Sequence, residues 1–259
     1  DTFLQTGNLS SSGGHGLQVH NSETTRHLAI VTGGVSANGR GIQASNGGTG
    51  DTSIVTEGTV TAGGDGIYAY NTAIGQDMSV WSQAVQAGLT GISVSQEGAG
   101  SVEVRADGSI VGLSGDGIRI SADVLSTSVS VTTQEVTARD TGILVDHAGS
   151  GGIEVIATGA VVGEGEAGVR VSSGPASGYI TLDLLEVTGG EYGVEADNGG
   201  LGGTVLRAAG PVVSNGAGIH VENAAGSGEV FIDVTDVSGV DAAIIAINNG
   251  VTGTFVRTH

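Results

Sequence analysis

The chain has no cysteine, no lysine, only two prolines and few aromatic residues. Without cysteine it can form neither a disulfide framework nor a thiolate metal site. Its basic residues number 8 against 27 acidic ones, and its formal net charge is −19. This balance excludes the basic stripe that a nucleic-acid-binding protein needs. No run of about 18 apolar residues occurs, so no transmembrane helix is predicted.

Glycine, in contrast, is abundant at 49 residues and recurs at regular intervals. One glycine returns every 25 or 26 residues, with alanine in the tenth place. A fixed period of this size predicts a repeat architecture. The ten positions are Gly16, Gly41, Gly66, Gly91, Gly117, Gly142, Gly168, Gly193, Gly218 and Ala243.

Each repeat contains three short stretches in which apolar and polar residues alternate, which is the pattern of strands with one buried face. In the repeat that begins at Gly66, these stretches are 67–70, 78–81 and 84–87. Strands this short cannot bury a core alone, so successive repeats must stack. The stacking predicts continuous apolar rows, one of which joins Ile67, Ile92 and Ile118.

The predicted fold is therefore all-β, a right-handed parallel β-helix (β-solenoid) of about ten coils, each of about 25 residues with three short strands. Residues 1–259 form a single unit, with three parallel sheets around one apolar interior. The repeat pattern is already under way at both ends, so we expect the chain to be a fragment of a longer protein.

Two columns of residues are predicted to have structural roles at the corners of the coils. The recurring glycine, including Gly66, Gly91 and Gly117, needs either a positive φ or close backbone approach. Five residues after it stands a column rich in asparagine, which tolerates left-handed backbone and can form a hydrogen-bonded ladder between coils. This column includes Asn46, Asn71, Asn198 and Asn223.

The repeated Gly-Ile-x-Val style, as in Gly91-Ile92-Ser93-Val94 and Gly117-Ile118-Arg119-Ile120, resembles autotransporter (type V secretion) passenger domains. The resemblance covers essentially the whole chain. It implies a protein exported across the outer membrane to the cell surface or secreted, with a C-terminal membrane β-barrel in the full-length protein. Many such passengers act as adhesins, autoaggregation factors or biofilm factors, and two-partner-secreted proteins have a similar repeat style.

No motif indicates catalysis or a cofactor. The Gly-Asp-Ser-Gly motif of the serine-protease passengers and the Asn-Thr-Asp motif of polygalacturonases are both absent. His15, His20 and His27 are close in sequence, but neighbouring coils supply no strong ligands, so we expect exposed loop histidines rather than a metal site. The sequence thus predicts a protein that is not an enzyme, with no catalytic, cofactor or metal site.

Two outward-facing groups are candidates for binding. Tyr68, Tyr70 and Trp81 are the one concentration of aromatic residues, and such side chains can stack on sugars or anchor protein contacts. Ile245 and Ile247 should both point outward in the tenth coil, where they form a possible association surface. We also expect cross-coil ion pairs, one of them between Arg170 and Glu195, each worth about 0–1 kcal/mol.

These observations lead to the expectation of a surface adhesin scaffold that mediates adhesion, autoaggregation or biofilm formation. Its partner would be another copy on a second cell, or a host or matrix glycan or protein, and not nucleic acid. Two alternatives stay open: a β-helical polysaccharide lyase or hydrolase, and a passive stalk that presents another domain. An outward cluster of three or more carboxylates with one arginine in a groove would favour the enzyme.

Overall fold

The computed structural model describes residues 1–259 and contains strands and turns but no helix. Its strands pair only in parallel, each with the strand one coil above or below it. The fold is the predicted parallel β-solenoid of about ten turns, consistent with a right-handed β-helix. A membrane-spanning helix is accordingly absent.

The first strand of every coil belongs to a ten-stranded sheet, which we call the first-strand sheet. Its members are β3 (Leu17–Asn21), β6 (Ile42–Asn46), β9 (Ile67–Asn71), β12 (Ile92–Gln96), β15 (Ile118–Ala122), β18 (Ile143–His147), β20 (Ala167–Ser173), β22 (Tyr192–Asn198), β24 (Ala217–Asn223) and β26 (Ala242–Asn248).

The second and third strands of the coils form one seventeen-stranded sheet. Second strands are β1 (Thr2–Thr6), β4 (Leu28–Thr32), β7 (Thr52–Thr56), β10 (Met78–Ser82), β13 (Val102–Ala106), β16 (Val129–Thr133) and β27 (Thr254–Thr258). Third strands are β2 (Leu9–Ser11), β5 (Val35–Ala37), β8 (Val60–Ala62), β11 (Val85–Ala87), β14 (Ile110–Gly112) and β17 (Val136–Ala138).

In the later coils, a single long strand replaces the second and third strands. These strands are β19 (Ile153–Gly163), β21 (Ile180–Gly189), β23 (Thr204–Ser214) and β25 (Val230–Gly239). The backbone stays extended through the corner, and the register shifts there, for example between Ala157 and Ala160. The prediction of three parallel sheets is therefore wrong: the second and third strands of the coils belong to one hydrogen-bonded sheet, so the structure has two sheets.

The predicted internal rows are confirmed by the strand register. Ile92 pairs with Ile67 on one side and with Ile118 on the other. All three side chains are fully buried. They belong to a core of 47 buried hydrophobic residues that runs along the rod. Stacking therefore supplies the burial that no single coil can provide.

The recurring glycine is explained by lack of space and not by a left-handed backbone. Gly226 is the only residue with positive φ, so that half of the prediction is wrong for Gly66, Gly91 and Gly117. Close approach is the reason. A Cβ atom on Gly41 would lie 2.5 Å from Cγ1 of Val60 and 2.5 Å from the carbonyl oxygen of Gly66. Real Cβ atoms do not come this close to other heavy atoms.

The asparagine column is buried, and it binds the adjoining loops more than it forms a ladder. No asparagine adopts positive φ, which corrects the second conformational prediction. Asn198 shows the usual arrangement: Nδ2 donates to the carbonyl oxygen of Gly202 at 3.0 Å, and Oδ1 accepts from the amide of Gly200 at 2.9 Å. Asn46 repeats these bonds with Gly50 and Gly48.

Only some members of this column bond directly to each other across coils. Asn21 donates to Asn46 at 2.9 Å, and Ser173 donates to Asn198 at 3.0 Å. Asn71 and Asn223 instead accept hydrogen bonds from threonines of the preceding coil, Thr52 and Thr204, respectively. The column therefore both closes each loop and joins neighbouring coils, in part through threonines outside the column.

Candidate functional site

The three aromatic residues that are close in sequence do not share one face of the structure. Tyr68 and Tyr70 lie in β9 of the first-strand sheet, and both are half-buried. Trp81 lies in β10 of the other sheet. Its indole Nε1 donates to Asp107 at 2.8 Å. The predicted adhesion surface is thus divided into a tyrosine pair and a separate tryptophan.

The tyrosine pair is only partly available for stacking. The guanidinium of Arg40 lies 4.4 Å from the ring centroid of Tyr68, which is a cation–π distance. Nε of Arg40 also lies 2.9 Å from a carboxylate oxygen of Asp65 in the adjacent coil. Burial raises the pKa of Tyr70, and a hydrogen bond to Glu97 raises it further. One face of Tyr68 is therefore already occupied.

Ile245 and Ile247 face outward at the end of the first-strand sheet, where they are 36% and 40% exposed. They lie beside His220 and Glu222 of the preceding coil. Ile244 and Ala246 alternate with them along the strand and pack against the core. The alternation predicted for this strand is present.

A cluster that the sequence did not reveal lies on the seventh, eighth and ninth coils, directly before the tenth. The outward row of the first-strand sheet places Arg170, Glu195 and His220 side by side on three successive coils. Asp197 follows Glu195 on the same strand and faces the same side. One ligand-type atom from each of Glu195, Asp197 and His220 lies within 4.8 Å of the others.

Glu195 is unusual because it is buried although it belongs to an outward row. Its side chain is 9% exposed, between the long side chains of Arg170 and His220. Nε of Arg170 lies 2.9 Å from Oε2 of Glu195 and confirms the predicted ion pair. The contact does not have hydrogen-bond geometry, and Oε2 has no other partner. His220 Nδ1 lies 3.9 Å from Oε1 and is also buried without a partner.

The electrostatics of the cluster follow from this burial. Desolvation raises the pKa of Glu195 and outweighs the opposing effect of Arg170. Desolvation likewise raises the pKa of Asp197, and His220 opposes this. The imidazole of His220 stacks on the ring of Tyr192, with centroids 5.6 Å apart. The site thus holds two carboxyl groups that have lost part of their solvation by water. Beside them lies one imidazole, which is oriented by stacking on Tyr192.

An open groove follows the carboxyl ends of the first strands. One part, of about 360 Å³, is lined by residues of the coils that begin at Gly91, Gly117, Gly142 and Gly168. An adjoining part, of about 300 Å³, continues along the next coils, and both share Ser172 and Ser173. Hydroxyl groups and carboxylates line it, among them Ser95, Glu97, Ser121, Asp123, Asp146, Ser172, Asp197 and Glu222.

The three histidines of the first coils, His15, His20 and His27, do not belong to a group of three converging ligand-type residues. His27 has one carboxylate neighbour, with Nδ1 3.4 Å from Asp51. Nδ1 of His15 accepts a hydrogen bond from the amide of Arg40 at 3.1 Å.

A sequence signal for the cluster of Glu195, Asp197 and His220 did exist. The outward row already paired Arg170 with Glu195, and adding the row two residues further along would have placed Asp197 beside them.

A search of protein-family models, curated proteins and solved structures found no match to this chain.

Proposed function

We propose that this chain is an adhesin-type scaffold, exported to the cell surface or secreted, that mediates adhesion, autoaggregation or biofilm formation. The observation that carries the proposal is the groove along the first-strand sheet. It follows the rod axis across successive coils and is shallow, open and polar. Such a surface suits an extended glycan or protein chain, or a second copy of the rod, better than a small molecule.

The chemistry of the groove fits weak and repeated contacts. Serine hydroxyls donate and accept hydrogen bonds, and carboxylates accept them from sugar hydroxyls or from peptide amides. Each contact is weak at an exposed surface, but many rods on one cell would act together. The resemblance to autotransporter passengers, the acidic charge and the absence of cysteine support the same proposal.

The direct test compares bacteria that display this segment with bacteria that display the same protein without it. If the segment is an adhesin, clumping should depend on it. If clumping is equal in both strains, the segment is a passive stalk and the proposal is wrong. Beads coated with the purified chain repeat the test without other surface proteins, and clumping of these beads is expected.

Single substitutions then locate the active face. Ser121→Tyr places a bulky side chain in the groove and should reduce clumping. Ser130→Tyr places the same side chain on the outer face of β16 in the other sheet and is the matched control. Equal effects of both would contradict a role for the groove. Tyr68→Ala with Tyr70→Ala, compared with Trp81→Ala, tests the two aromatic positions in the same way.

A second candidate is a polysaccharide-active enzyme, because a carboxylate cluster with one arginine does lie beside the groove. Arg170 is the only arginine in it, and a lyase would need that group as a base. Burial alone would lower the pKa of Arg170, but the carboxylates of Glu195 and Glu166 raise it above the ordinary arginine value. A raised pKa makes Arg170 a poor proton acceptor. Release of unsaturated sugars from acidic polysaccharides would favour the enzyme over the scaffold.

A further inference from the structure

We propose that Glu195, Asp197 and His220 form a binding site for a divalent transition-metal cation of the zinc type. Their ligand atoms already lie within 4.8 Å of one another. Two ligands with bonds of about 2.1 Å to one ion can be at most about 4.2 Å apart. The 3.9 Å between His220 Nδ1 and Glu195 Oε1 is within this limit, so small side-chain rotations would complete the set.

The position of the three residues on a rigid sheet favours such a site. Glu195 and His220 are direct neighbours on β22 and β24, and Asp197 is the next outward residue after Glu195. Ligands on adjacent hydrogen-bonded strands keep their relative positions better than ligands on loops. The stack of His220 on Tyr192 fixes the plane of the imidazole.

Glu195 and His220 each have a buried polar atom without a hydrogen-bond partner. The Glu195 side chain is more than nine-tenths buried, and its Oε2 accepts no hydrogen bond. Nδ1 of His220 is buried, has no partner and faces that carboxylate. Buried polar atoms without partners are rare in folded proteins. If the Glu195 carboxylate turns from Arg170 to a cation held by His220 Nδ1, both groups gain a ligand bond.

The donor set determines the class of metal. One imidazole nitrogen and two carboxylate oxygens suit zinc and similar transition metals, whereas calcium and magnesium prefer oxygen ligands alone. Three protein ligands leave at least one coordination position for water or an outside ligand. The groove beside Asp197, His220 and Glu222 gives access to that position.

The positive charge of Arg170 opposes the binding of a cation at Glu195, and this provides a test. Its Nε lies beside Glu195, while its Nη1 donates to Glu166 at 3.2 Å. The guanidinium can keep its ion pair with Glu166 when the Glu195 carboxylate turns to a metal. Removing its positive charge should strengthen cation binding, which is the opposite of what losing a ligand does.

The experiment is calorimetric titration of the tag-free chain with Zn²⁺, followed by Co²⁺ absorption spectra as a report on coordination. One saturable equivalent is expected. Asp197→Asn and His220→Phe should each weaken binding by about tenfold or more, since each removes a ligand. His220→Phe keeps a ring to stack on Tyr192, and Asp197→Asn keeps the shape of the side chain. Arg170→Gln should bind more tightly than the unaltered chain.

The matched control is His27→Asn, because His27 also faces a carboxylate but has no third ligand. It should bind Zn²⁺ as the unaltered chain does. The absence of saturable binding, unchanged binding in both ligand variants, or loss of binding in His27→Asn would each overturn the proposal. Circular dichroism of every variant confirms that the β-solenoid is intact. Metal binding by the isolated chain needs no adhesion partner, so its result is independent of the clumping assays.

Discussion

A Cβ atom on Gly91 would lie 2.5 Å from Cγ2 of Ile110, the buried third-strand residue of the same coil. The carbonyl oxygen of Gly117 in the next coil would also be in contact with it. The recurring glycine is thus the place where the first strand, the third strand and the neighbouring coil meet. Any side chain there must displace one of the three.

Gly91→Ala should therefore destabilise the rod. Overpacking a filled core costs about 1–3 kcal/mol, and a backbone neighbour cannot move as freely as a side chain. Urea unfolding measures the change. Gly13→Ala is the control, because a Cβ atom there meets nothing within 4 Å. Equal destabilisation by both substitutions would show that backbone freedom, not space, explains the column.

Asn198→Ala should reduce the stability of the chain more than Asn248→Ala does at the end of the rod. It removes the side chain that bonds Ser173, Gly200 and Gly202 in a buried corner. Each buried group left without a partner costs about 1–3 kcal/mol. Asn248 makes the same bonds to its own loop, but in a more exposed coil where water can replace them. A larger loss of melting temperature in Asn248→Ala would contradict this account.

His147 should make the rod sensitive to acid. Desolvation lowers the pKa of this buried histidine below the ordinary value of 6.5. The unfolded chain therefore takes up a proton first, and stability present above about pH 6.5 is lost as the pH falls below it. His147→Asn, the residue common in this column, should lose less melting temperature between about pH 7.5 and about pH 5.5.

The control for this prediction is the exposed histidine His20. His20→Asn should keep the pH dependence of the unaltered chain. Nε2 of His147 donates to the carbonyl oxygen of Gly151 at 3.2 Å, and an asparagine in the same column can make a corresponding bond. Unchanged acid sensitivity in His147→Asn would assign the effect to the carboxyl groups instead.

Arg170→Ala should be more costly than the sequence suggested. A surface ion pair is worth about 0–1 kcal/mol, but Glu195 is only 9% exposed and would be left without its partner. We expect a loss of about 1–2 kcal/mol, limited by solvent screening of the partly exposed arginine. Arg139→Ala breaks a pair that is exposed on both sides and should change stability by less than about 1 kcal/mol. Thermal unfolding of both variants gives the comparison.

The site was harder to predict than the fold because it depends on side chains from different coils. The row of Arg170, Glu195 and His220 follows from the period, and the Arg170–Glu195 pair was predicted from it. The burial of Glu195 was not, since an outward position in a repeat is ordinarily solvated. Because they are close in sequence, Trp81 was also grouped with Tyr68 and Tyr70. The loop between β9 and β10, however, carries the chain to the other sheet before it reaches the tryptophan.

The sequence by itself determined the repeat, the parallel stacking and the internal rows, because a fixed period with alternating apolar residues permits few other ways to bury them. Only the tertiary structure decided which outward groups lose contact with water and which corners lack room for a Cβ atom. Both depend on distances between neighbouring coils, which are set by the packing of whole side chains and not by their order along the chain.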